Sequence, residues 1–302
     1  MLSFDIILFN HLIKLLFKNT ILITGATGGM GNYALEFLKK LVPQDEVFTL
    51  VRNKEKASQL EEKGFNIRFG NYDDFEALSK AFKDIDRLLF ISGNEVGQRQ
   101  KQHKNVVEAA KANSVSYIAY TSFGNANISS SPLAEDHKYT EKFILDSGIN
   151  YTFLRNNWYL ENEYGLITAA LKSGTFVHSG GEGKDGWALK EEYAQIAAYA
   201  VSGKYEFPNI IEIGGNLITY HQLAEELEKI SGKSLEIIDT DVNTASKFLQ
   251  ENAEYPKDLA DFLASAQEII KSGSLDIECD DLKKYIGNSL LPIQQSLNRL
   301  LK

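Results

Sequence analysis

Apolar runs of strand type alternate with helical spacing from residue 20 to about residue 155. Ile21-Leu22-Ile23 is a β-branched run, and Tyr33 to Lys40 carries apolar positions three and four apart, as a helix face does. Pro43 closes that segment, and Glu46 to Val51 reads as a second strand before a polar helix over Lys54 to Lys63. Phe65 to Phe69 predicts a short third strand and Phe75 to Phe82 a helix, with Asp73 or Asp74 as its N-cap. Arg87 to Ile91 is a continuous apolar run of the kind buried on both faces of a parallel sheet. Gln98 to Ala112 is helical, with Val106, Val107, Ala109 and Ala110 on its inner face. Ser116 to Thr121 is a fifth strand, a helix opens at Leu133 and ends near Ser147-Gly148, and Ile149 to Arg155 is a sixth strand. Six such alternations predict an α/β fold, an open parallel sheet with helices on both faces. Beyond residue 160 the pattern loosens. Helices are expected over Leu160 to Leu171, Lys190 to Val201 and Tyr220 to Ile230, a core strand over Ile210 to Ile213, and further helices from Val242 onward. The expected organisation is an apolar extension (1–18), a nucleotide-binding core (19–160) and a C-terminal part (161–302) that completes the sheet and forms a smaller substrate lobe.

The junction of the first strand and first helix, Thr20 to Gly31, carries the candidate chemistry. Gly25-Ala26-Thr27-Gly28-Gly29-Met30-Gly31 places glycines where a chain must turn sharply off a strand, approach a pyrophosphate closely, and pack a helix on the sheet. Strand, glycine turn and helix N-terminus together form an anion site, which makes the doubly wound sheet Rossmann-like. A glycine-rich hairpin is the bland alternative, and the flanking strand and helix disfavour it. Arg52 and Asn53 follow the second strand. A carboxylate here would bond the ribose hydroxyls of NAD, whereas a guanidinium suits the extra phosphate of NADP. Asn71 and Tyr72, after the third strand, are candidate adenine neighbours, and Ser92, Gly93 and Asn94 lie at the carboxyl edge where such sheets bind ligands.

A net charge of −9 argues against nucleic acid or an anionic membrane as the main partner. The single cysteine, Cys279, forms no internal disulfide, which points to the cytoplasm. Residues 1–18 are apolar but broken by Asp5, Asn10, His11 and Lys14, too short and punctuated for a membrane span, and they lack a cleavage site before the first core strand. They are read as an extension, either upstream of the native start or a loosely packed helix, with a membrane-surface anchor as the lesser alternative. The scattered histidines and lone cysteine show no metal-ligand spacing. Nothing in the pattern sets an oligomeric state.

Several segments together resemble the NmrA-like atypical short-chain dehydrogenases, and among them the quinone oxidoreductase branch. They are Ile23 to Gly31, Val51 to Asn53, Ser92 to Arg99, Ile118 to Ser122, Ser131 to His137 and Leu154 to Asn162. The resemblance implies NADPH as coenzyme and two-electron reduction of a quinone or other electron-poor aromatic. It also assigns Gly25, Thr27, Gly28, Gly29, Met30 and Gly31 to the pyrophosphate, and Arg52 and Asn53 to the 2′-phosphate and adenosine. Ser92, Gly93 and Asn94 fall on the ribose side, with Thr121 and Ser122 where short-chain dehydrogenases keep a catalytic hydroxyl. Asn156, Asn157 and Trp158 fall near the nicotinamide, and Phe123, His137 and Tyr159 near the substrate. The extension and Phe123 depart from the family pattern. Tyr139 and Lys142 are one residue short of the YxxxK dyad of alcohol-oxidising relatives, a dyad this family lacks. His137, at a helix start, is the candidate proton donor, with a plain capping role as the alternative. A quinone needs mainly proximity and ring stacking, because hydride transfer to it is downhill and aromatises the product. Phe123, Trp158 and Tyr159 suit a flat substrate, and inter-lobe core is their alternative role. The competing function is that of a sensor that binds NADP without turnover.

Overall fold

The computed structural model describes residues 19–302 apart from 96, 130, 279 and 280. The expectations for residues 1–18 and for Cys279 therefore lie outside the described residues.

Strand β1 (Ile21–Ile23) is fully buried and has β2 (Val47–Val51) on one side and β4 (Arg87–Phe90) on the other, both parallel. β3 (Asn66–Phe69) pairs with β2, and β5 (Tyr117–Phe123) with β4, again parallel. With β6 (Asn150–Asn156) and β9 (Ile210–Ile213) the sheet has seven strands in the order β3-β2-β1-β4-β5-β6-β9. The order reverses direction between β1 and β4, which is the switch point where doubly wound sheets bind ligands. The intervening helices are α1 (Gly29–Leu41), α2 (Lys54–Glu62), α3 (Phe75–Ala81), α4 (Arg99–Ala112) and α5 (Pro132–Ser147). Helix α1 starts ahead of the apolar periodicity that opens at Tyr33, because Gly29 to Asn32 already follow helical geometry.

Two compact units divide the chain. The first runs to Thr121 and takes in Tyr139–Phe153 and Ala197–Asn209; the second holds Ser122–Lys138, Leu154–Ile196 and Ile210–Lys302. A single boundary at residue 160 does not describe this division, since the chain returns twice to the first unit. The core of the first unit joins Leu22, Leu88 and Phe90 of the sheet to Leu78, Phe82, Val106 and Ala110 on and beside α3 and α4. Burying side chains of the size of Leu, Val or Phe stabilises by about 1.5–3 kcal/mol each.

The second unit contains elements that the looser sequence pattern hides. After α6 (Tyr164–Ser173), β7 (Thr175–His178) pairs parallel with β11 (Glu236–Asp239), and β8 (Lys184–Asp185) pairs antiparallel with β10 (Ile218–Thr219). The span Leu160 to Leu171 is not one helix: a 3-10 turn at Leu160–Glu163 precedes α6. Helix α7 covers Lys190–Ser202, and α8 (Tyr220–Ser231) starts at a capping box between Thr219 and Gln222. Helices α9 (Val242–Asn252), α10 (Lys257–Lys271), α11 (Asp281–Ile286) and α12 (Ile293–Leu300) follow.

Candidate functional site

The first unit has a cleft of about 450 Å³ at the carboxyl ends of β1, β2, β3 and β4. Gly25, Thr27 and Gly28 form one side of it. Gly25 adopts φ +63°, the left-handed turn that lets the chain leave β1. Gly28 lies extended at the N-cap of α1 with no side chain capping the first turn. Its amide donates to the Gly25 carbonyl at 3.0 Å, and a side chain there would project at little else in the protein. Gly31 serves packing instead. A Cβ there would lie 2.7 Å from the Ala26 Cα, so its absence seats α1 on the turn. Gly31, Gly29 and Met30 do not line the cleft, and Met30 is buried in α1.

Arg52 and Asn53, at the end of β2, line the cleft as well. Asn53 also caps α2, its Oδ1 accepting the Lys56 amide at 2.9 Å. The Arg52 side chain is 66% exposed, and its Nη1 donates to Glu95 Oε1 across the cleft at 3.1 Å. Lys56, in the first turn of α2, is a second cation on the lining. Sequence reasoning missed Lys56, Glu95 and Gln102. Lys56 was the readable one, since it stands four residues past Arg52 on the helix that Asn53 caps.

Asn71 and Tyr72 line the cleft beyond β3. Tyr72 donates its hydroxyl to the Ile91 carbonyl at 3.0 Å, and burial pushes its pKa well up, which keeps the phenol neutral. Asp74 caps α3 through the Ala77 amide at 2.9 Å, as the Asp-rich turn implies.

Ser92, Gly93 and Asn94 form the floor. The Ser92 amide donates to Thr121 Oγ1 at 2.9 Å, so that hydroxyl braces the ends of β4 and β5 and does not line the cleft. The Gly93 amide donates to Nε2 of the fully buried His103 at 2.9 Å, and Arg99 Nε donates to the Gly93 carbonyl at 2.6 Å. With Nε2 accepting, Nδ1 carries the proton toward Thr140 Oγ1 at 2.8 Å. Burial, with the Arg99 charge second, pushes the His103 pKa down to about 3, so the imidazole stays neutral and the floor keeps one geometry across physiological pH.

The remaining expected residues lie in the second unit. Ser122 and Phe123 are buried at the end of β5, and His137, also buried, has its ring 6.0 Å from that of Phe123. Asn156 Nδ2 donates to the Tyr159 hydroxyl at 2.9 Å, while its buried Oδ1 has no partner among the described residues. Asn157 is a brace: Nδ2 donates to the Leu275 carbonyl at 3.0 Å and Oδ1 accepts the Trp158 amide at 3.1 Å. Trp158 Nε1 donates to Glu163 Oε1 at 3.0 Å, and its ring packs in this unit's apolar core with Phe123, Trp187 and Tyr220. The Tyr159 ring lies 5.0 Å from that of Tyr193. Tyr139 and Lys142 form no dyad. Lys142 is exposed and pairs with Asp146 at 2.9 Å, and Tyr139 packs edge-on against Phe143. Among the described residues no group of three His, Cys, Asp or Glu is arranged to hold a metal, and no helix is long and apolar enough to cross a membrane.

A glycine turn opening α1, a cationic end to β2 and a polar floor at the switch point define a Rossmann-type dinucleotide-binding protein. The chain belongs to the NmrA-like family, whose model matches residues 17–284. It is 40% identical over 284 residues to quinone oxidoreductase 2 of Escherichia coli, covering 93% of this chain and 98% of that one. The crystal structure of the NADPH-dependent quinone oxidoreductase of that organism complexed with NADPH superposes with a TM-score of 0.87, covering 93% of this chain and all of the other at 40% identity. A Citrobacter triphenylmethane reductase complexed with NADP(H) superposes with a TM-score of 0.86 at 33% identity, covering 93% of this chain and 99% of that one.

Proposed function

We propose that this chain is an NADPH-dependent reductase that transfers a hydride to a quinone. The observation that carries the reading is the cleft of the first unit, which pairs the uncapped start of α1 with a guanidinium at the end of β2. The similarity to quinone oxidoreductase 2 of E. coli supports the choice of acceptor.

In this reading Gly25, Thr27 and Gly28 hold the pyrophosphate by backbone approach and by the positive end of α1. Arg52 and Lys56 hold the 2′-phosphate, Asn71 and Tyr72 flank the adenine, and Ser92 to Asn94 hold the ribose side. Asn156 Oδ1, buried with no donor among the described residues, suits an amide N–H. The coenzyme supplies the hydride when bound. His137 is assigned as the proton donor to the reduced oxygen. A quinone asks for orientation more than acid catalysis, which fits a site without a Tyr–Lys dyad. The scarcity of cysteine suits a cytoplasmic setting.

Steady-state consumption of NADPH by the purified chain with a benzoquinone tests the reading. Turnover dependent on the quinone is expected. Tight binding of NADPH with no consumption across a panel of quinones would replace the enzyme by a sensor.

A further inference from the structure

The carboxylate of Glu95 faces the guanidinium of Arg52 across the cleft, and it is held there. Oε1 receives Arg52 Nη1 at 3.1 Å, and Oε2 receives Gln102 Nε2 at 2.9 Å. Gln102 is only 3% exposed, and its amide nitrogen also reaches both carboxylate oxygens of Asp73, at 3.3 and 3.4 Å. A buried amide on α4 thus aims Glu95 at Arg52, which an ordinary surface pair lacks. Glu95 and Gln102 line the same cleft as the glycine turn.

We propose that Glu95 is a specificity-determining residue of the coenzyme cleft. Its carboxylate occupies Arg52 in the free protein and opposes the 2′-phosphate, holding the preference for the phosphorylated coenzyme below what Arg52 alone would set. The proposal rests on the reading of the cleft as an NADPH site. A 2′-phosphate is a near-dianion. When Arg52 turns to it, the pair with Glu95 is exchanged and a carboxylate aimed by Gln102 is left beside like charge. NADH has a hydroxyl at this position and leaves the Arg52–Glu95 pair in place. The device therefore acts on one coenzyme and spares the other, and it eases release of the phosphorylated form after turnover.

Calorimetric titration of the full chain and of Glu95→Gln with NADPH and with NADH tests this. Gln keeps an acceptor for Gln102 and removes the charge. NADPH is expected to bind about three- to ten-fold more tightly to the variant, NADH to change by less than about two-fold, and the NADPH gain to shrink as salt is raised. A gain of affinity is a readout that damage to the fold would not produce. An unchanged or weakened NADPH affinity, or an equal gain for both coenzymes, would overturn the role of Glu95 while leaving the coenzyme site standing. Failure of the unmodified protein to bind either coenzyme would remove the site and the proposal together.

Discussion

Replacing Arg52 with alanine isolates the electrostatic basis of coenzyme choice. A charge-assisted hydrogen bond contributes about 1.5–3 kcal/mol where water is excluded. Arg52 is mostly exposed and already engaged by Glu95, so both solvent screening and the surrender of that pair reduce the gain from a 2′-phosphate. A loss of about 2 kcal/mol is expected, equivalent to about thirty-fold in the Kd for NADPH. NADH has no phosphate to lose, and its Kd should rise less than about three-fold. Arg52→Lys should fall between, since an ammonium keeps the charge but not the fork. Titration calorimetry of the three proteins with both coenzymes at one fixed ionic strength gives the comparison. Equal losses for NADPH and NADH, or none for either, would refute the placement of the 2′-phosphate at the end of β2.

Three further outcomes follow from other parts of the molecule. Gly31→Ala should destabilise the fold by about 1–3 kcal/mol in urea unfolding, because the added Cβ meets the backbone of Gly25 and Ala26; an unchanged midpoint would mean that α1 is free to shift. His137→Asn should lower kcat for a benzoquinone about tenfold with little change in the Kd for NADPH; full activity would leave His137 no role in proton transfer. Glu163, buried in the second unit, has its pKa pushed up to about 7 by burial, against the hydrogen bonds it accepts from Tyr220 and Trp158. The unfolded chain gives up this proton near pH 4.5 and the folded one near 7. Stability should therefore fall as pH rises between those values, by up to about 3 kcal/mol, and level off above. Glu163→Gln should flatten that fall, and an identical pH dependence in the variant would assign it to other groups.

The first unit was legible because its central strands β1 and β4 are buried and so appear as apolar runs, as in Ile21 to Ile23 and Leu88 to Phe90. The glycine turn declared itself in the same way, since a strand before it and a helix after it leave little else for it to do. The second unit hid β7, β8, β10 and β11 because they are two to four residues long. In β11 only Ile237 and Ile238 are apolar, and Ile238 is exposed. The division into units was not legible because it depends on contacts far apart in sequence, which bring Tyr139–Phe153 and Ala197–Asn209 into the first unit. Within the cleft, residues on the strand ends were readable from position alone. Glu95 and Gln102 were not, because their relation to Arg52 exists only once α4 is folded beside β4. Asn157 and Trp158 carry a family motif, yet their side chains are engaged with Leu275 and Glu163, partners that no local pattern announces.

A crystal structure of this protein with NADPH would locate each part of the coenzyme against the cleft. The pyrophosphate is expected against Gly25 to Gly28 at the start of α1, the adenine beside Tyr72, and the 2′-phosphate within hydrogen-bonding distance of Arg52. NADPH bound elsewhere, or lying in this cleft with its 2′-phosphate in solvent and the Arg52–Glu95 pair intact, would contradict that placement.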